Sequence, residues 1–134
     1  MQTQGLILFA HGARDPRWAR PFEQVAARVR ALAPGVRVAL AYLELMSPDL
    51  QAAGAELAAA GCTEVVVLPL FLGAGGHVRK DLPARIAQLQ QSCPTVHWRL
   101  QPAAGEAERL VEALAQIAVE SIANIAKDEK EERA

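Results

Sequence analysis

The chain has 134 residues, enough for one domain and too few for two of ordinary size. Hydrophobic residues make up 51% of it, which excludes a disordered chain, and aromatics at 4% leave the core to Ala, Val, Leu and Ile. Fourteen Lys and Arg oppose fifteen Asp and Glu for a formal net charge of −1, which excludes the broad polyanion grip of a nucleic-acid binder.

The first four residues carry no basic region, and the apolar run that follows is too short for a signal peptide. No stretch approaches the roughly 20 apolar residues of a membrane helix. The expectation is a cytoplasmic protein with no membrane and no nucleic-acid partner. Residues 5–10 are continuously apolar, as in a strand buried on both faces. Trp18, Phe22, Val25, Val29 and Leu32 recur at helical spacing, and Pro34-Gly35 ends that helix. Residues 36–43 read as a second strand. Ser47-Pro48-Asp49 reads as an N-cap, a proline at the first helical position and an acidic first turn, opening a helix through Leu50 and Leu57 to Gly61.

Residues 64–71 are the strongest strand, dense in β-branched residues, with Pro69 expected near its end where a missing N–H matters least. A third helix is expected from near Asp81-Leu82-Pro83, with Ile86 and Leu89 inward and its end before Pro94. Val96, Trp98 and Leu100 alternate with His97 and Arg99 in a fourth strand with one polar face. The last helix shows Leu110, Leu114, Ile117, Ser121 and Ile125 on one side, and residues 127–134 read as a charged, solvated tail. Cys62 and Cys93 form no C-x-x-C pair and are expected as reduced thiols.

Strands alternating with amphipathic helices predict an α/β domain over residues 1–126: three layers, with a four-stranded, mainly parallel sheet and helices on both faces. A four-helix bundle would leave residues 65–68 unexplained. In such sheets ligands bind beyond the carboxyl ends of the strands. His11 follows the first strand, Glu44 the second, and His77 lies in the expected loop after the third, each 33 residues from the next. Strands lie about 4.8 Å apart, so the three side chains are candidates for one rim. Two imidazoles and a carboxylate suit a borderline divalent metal such as cobalt, nickel, iron or zinc. Taken singly, each also fits a loop or capping role, and His97 is read as structural or exposed.

The loop of residues 73–77 is glycine-rich, so a flat, bulky ligand could lie against its backbone at Gly75 and Gly76. It lacks the G-K-[ST] ending of a P-loop and the G-x-G-x-x-G spacing, so no nucleotide is expected. Arg14, Arg17 and Arg20 follow His11, and Arg79 and Lys80 follow His77, which points to an anionic substrate.

Residues 5–17, with His11-Gly12 and Arg14, resemble the opening of the CbiX/SirB sirohydrochlorin chelatases. Residues 41–44 followed by Ser47-Pro48 are similar to a second segment of that family. Residues 67–72, then Gly76-His77 and Asp81-Leu82-Pro83, look like a third. The resemblance implies a class II chelatase-like domain that inserts a divalent metal, without ATP, into sirohydrochlorin, an acidic tetrapyrrole of the cobalamin and siroheme routes. Cobalt is the metal it favours as substrate, with nickel and ferrous iron as alternatives. It implies His11 and His77 as the principal metal-binding and catalytic pair and Glu44 as a third participant. Arg14, Gly75, Gly76, Arg79 and Lys80 would hold the macrocycle. It also implies the small, single-domain type, working as a homodimer that rebuilds a cleft. The family often has Ser after His-Gly where this chain has Ala13, and residues 101–105 match a later segment only weakly. Two readings compete: a metal or tetrapyrrole carrier without turnover, which keeps the same histidines, and a histidine phosphatase, which would want Arg where Ala10 stands.

Overall fold

A computed structural model describes residues 3–73 and 75–133, and of His77 the backbone alone. The three apolar runs and the alternating fourth segment form β1 (Gln4–Ala10), β2 (Arg37–Tyr42), β3 (Glu64–Pro69) and β4 (His97–Leu100). All neighbours pair in parallel, in the order β2-β1-β3-β4. Pro69 is the last residue of β3, where the ladder no longer needs its N–H. Between the strands lie α1 (Arg20–Leu32), preceded by a 3-10 turn at Pro16–Ala19, then α2 (Leu50–Ala59) and α3 (Gly76–Ser92). A short 3-10 turn, Ala104–Glu106, leads into α4 (Glu108–Arg133).

The two faces of the sheet are covered unequally. On one, Ile7, Phe9, Val65, Val67 and Trp98 pack against Leu50 and Leu57 of α2 and Ile86 and Leu89 of α3 in a single buried cluster. On the other, a smaller cluster joins Ala10 and Tyr42 to Ala19, with Trp18 and Phe22 laid over it. That face is served by α1, whose buried residue is Ala26; Val25 and Leu32 of the expected stripe lie at its margin and are exposed. The expected three layers are present, with one outer layer reduced to a single helix.

Two expectations are corrected. The second helix is capped by Asp49, whose Oδ1 accepts from the Ala52 N–H at 2.8 Å, so Pro48 precedes the cap rather than following it. The third helix begins at Gly76 and carries Pro83 inside it, giving up one backbone bond to the Arg79 carbonyl. Residues 127–133, the charged end of the chain, continue α4 without a break and are exposed. Lys127 and Glu131 stand one turn apart, as do Glu129 and Arg133, and Lys130 and Arg133 complement the negative helix end.

Because Asp49 alone supplies a side-chain cap to α2, Asp49→Ala is expected to lower stability by about 1 kcal/mol. Urea unfolding checks this: the midpoint falls and the slope is unchanged.

Candidate functional site

The connection from β1 runs through α1 to β2 on one side, whereas that from β3 runs through α3 to β4 on the other. Since β1 and β3 are neighbours, their chains part at the carboxyl ends and leave a crevice, the place where open parallel sheets take ligands. His11 is the first residue beyond β1 and is exposed. His77 is the second residue of α3, the helix leaving β3, rather than part of a loop. The two backbones therefore border the same crevice from opposite sides, while the His77 side chain lies outside the described residues.

Glu44 is tied to His11 through the main chain. The Leu43 N–H donates to the Ala10 carbonyl at 2.9 Å and the Glu44 N–H to the His11 carbonyl at 3.0 Å, extending the β1–β2 ladder past both strands. Gly12 permits this approach. It sits at φ +93°, and a Cβ there would collide with the Glu44 carbonyl oxygen. The same carbonyl accepts from the Met46 N–H at 2.8 Å across Leu45, which is held at φ 65°. This is a tight three-residue turn with a left-handed non-glycine at its centre, a local strain of the kind that the surrounding ladder must hold in place.

Two residues outside the sequence candidates take part. Phe71, buried just beyond β3, sets its ring against His11 with centroids 4.4 Å apart and planes at 52°. It thereby fixes one side of the imidazole while the residue stays open to solvent. Its signal was an aromatic at the end of the neighbouring apolar run. Glu106, on the turn before α4, lies 3.9 Å from Arg79, and both are exposed. No motif marked it. These residues and Leu72, Gly73 and Pro102 line a hollow of about 390 Å³ beside the crevice. A larger hollow, about 680 Å³, runs along the outer edge of β2 and holds none of the candidate side chains.

The cations divide into two kinds. Arg17 is occupied by Asp15, with Nη2 to Oδ2 at 2.8 Å and Nε to Oδ1 at 3.2 Å, and its hydrogen bonds hold the Asp15 carboxyl below its ordinary value. Arg14 and Lys80 are exposed and, among the described residues, make no ion pair. Gly75 caps α3 in extended conformation and Gly76 opens it. Among the described residues no three His, Cys, Asp or Glu side chains gather as a metal cage. Cys62 is buried, which pushes its thiol up and keeps it protonated at neutral pH. No helix among the described residues is long and apolar enough to cross a membrane.

The profile of the CbiX family matches residues 5–121, nearly the whole described chain. The chain belongs to the CbiX family. Among solved structures, a protein from Marinobacter aquaeolei VT8 assigned to cobalamin (vitamin B12) biosynthesis as CbiX superposes with a TM-score of 0.79 at 34% identity, covering 90% of this chain and 98% of that one. The sirohydrochlorin chelatase SirB from Bacillus subtilis subspecies spizizenii, solved in complex with cobalt, shares the fold with a TM-score of 0.75 at 22% identity, over 87% of this chain and 49% of that one. The sirohydrochlorin cobaltochelatase of Methanopyrus kandleri is 32% identical over 78 residues, 58% of this chain and 54% of that protein. That of Methanosarcina acetivorans is 28% identical over 89 residues, 66% and 68% of the two chains. The chain thus spans about half the length of the first of these relatives.

Gly12→Ala tests the His11–Glu44 link of this CbiX-family fold. The methyl group meets both a positive φ and a backbone carbonyl, so a loss of at least about 2 kcal/mol is expected in thermal or urea unfolding.

Proposed function

We propose that this chain inserts a divalent metal, cobalt in the first place, into sirohydrochlorin without a nucleotide. The observation that carries the reading is the parting of the chain beyond β1 and β3, which sets His11 and the first turn of α3 on two sides of one crevice. Sirohydrochlorin chelatases among the relatives support the substrate, and the SirB complex supports cobalt as metal, with nickel and ferrous iron as alternatives.

The reaction replaces two pyrrole N–H protons with one divalent ion. His11 and His77 hold the ion over the ring as neutral imidazoles and take up protons as it enters, since an imidazole exchanges protons near neutral pH. Glu44, bound through its backbone to His11, supplies negative charge or accepts the second proton. Arg14, Arg79 and Lys80 bind the peripheral carboxylates, and the backbone at Gly75 and Gly76 lets the flat macrocycle approach. A second copy of the chain closes the crevice from above, and the reaction belongs to the cytoplasm. The carrier reading keeps the same residues and differs in outcome: a carrier metallates at most one ring per chain.

Absorbance of sirohydrochlorin with cobalt, with and without protein, tests this. The wild type should metallate many rings per chain, and the His11→Ala/His77→Ala variant should fall to the uncatalysed rate with unchanged far-UV circular dichroism. Full turnover in that variant would overturn the assignment. Arg79 must exchange Glu106 for a substrate carboxylate. Glu106→Gln is therefore expected to lower KM for sirohydrochlorin by roughly two- to five-fold while leaving kcat unchanged, as befits an exposed pair.

A further inference from the structure

Histidines that bind metals ordinarily donate their second ring nitrogen to a carboxylate or a carbonyl, which fixes the ring and strengthens its hold on the ion. His11 is built otherwise. Among the described residues no side-chain hydrogen bond reaches either of its nitrogens. Its carbonyl is tied to the Glu44 N–H, but a backbone bond leaves both side-chain torsions free. What meets the ring is Phe71, in a tilted contact with centroids 4.4 Å apart.

Phe71 is itself held from three directions. The Leu70 N–H donates to the Phe9 carbonyl at 2.7 Å, carrying the β1–β3 ladder past Pro69. The Phe71 carbonyl accepts from the Gly105 N–H at 2.8 Å. Its ring meets that of Phe9 at 5.8 Å and 54° within the main buried cluster. At 3% exposure it offers a substrate almost no surface, so any influence on the reaction passes through His11.

We propose that Phe71 is a positioning residue for metal insertion: a flat apolar seat that sets the plane of the His11 imidazole without occupying either ring nitrogen. This rests on the proposed function and adds how the site treats its ion. A hydrogen-bonded imidazole is both oriented and made a stronger ligand, which suits a resident metal. A seated one is oriented without the added strength. That suits an ion which is a substrate and must be surrendered to the macrocycle at every turnover.

Phe71→Leu keeps apolar bulk and removes the flat face. It should lower kcat for cobalt insertion by about five- to twenty-fold while KM for sirohydrochlorin stays within about two-fold. Phe71→Tyr, which keeps the ring, should retain at least about half of the wild-type kcat. Leu89→Val, in the same cluster but toward the far end of α3 from the crevice, should lower the melting temperature and leave kcat unchanged. Carbon-13 relaxation of the metal-free protein reads the ring directly: the His11 imidazole should be ordered in the wild type and in Phe71→Tyr, and mobile in Phe71→Leu. An imidazole as mobile in the wild type as in Phe71→Leu would overturn the proposal whether or not the chain metallates. So would a wild-type kcat in Phe71→Leu beside an inactive His11→Ala/His77→Ala variant, or an equal loss of kcat in Leu89→Val. Ring mobility does not depend on the proposed function, so the two failures are distinguishable.

Discussion

Everything at the candidate site depends on β1 and β3 being adjacent while their onward connections diverge. Had both chains left on the same side, the loops beyond Ala10 and Pro69 would have packed against each other and filled the space between them. The divergence follows from the strand order β2-β1-β3-β4 together with right-handed crossovers, which put α1 on one face and α3 on the other. Chemistry is thus placed by topology before any particular side chain is chosen.

Around that opening the structure is rigid on one flank. His11 extends directly from a strand whose Ile7, Phe9 and Ala10 are wholly buried, its carbonyl is bonded to Glu44, and its ring rests on Phe71. The charged groups form a looser outer ring, with Arg79 shared with Glu106 across a long gap. Such an arrangement suits a reactive centre that must keep its geometry and a rim that must accept substituents of varied position.

The first three strands were legible because burial on both faces demands continuous apolar runs, which β3 shows most clearly, and β4 because Trp98 and Leu100 alternate with His97 and Arg99. The equal 33-residue spacing of His11, Glu44 and His77 was legible, but not their unequal offsets: His11 follows β1 directly, Glu44 stands two residues past β2, and His77 stands eight past β3, in the first turn of α3. The start of α3 was not: a proline at position 83 looks like a first helical residue, and only packing reveals that the helix absorbs it. Of the apolar stripe expected for α1, Trp18, Phe22 and Val29 are half-buried beside the buried Ala26, whereas Val25 and Leu32 at its edge are exposed. Its apolar spacing allows more than one inward line, and the close approach of Ala26 decides among them. Phe71 and Glu106 acquire their roles from contacts across long sequence separations, which no local pattern encodes.

Residues 101–105 are the least conspicuous part of the sequence. Yet the Gly105 N–H donates to the Phe71 carbonyl at 2.8 Å, and a Cβ at 105 would strike the carbonyl of Leu72. One unadorned backbone position therefore pins the base of the last helix to the segment that steadies the imidazole. Mutational tolerance here runs opposite to visual prominence: among the plainest stretches of the chain lies a position where even a single methyl group is forbidden.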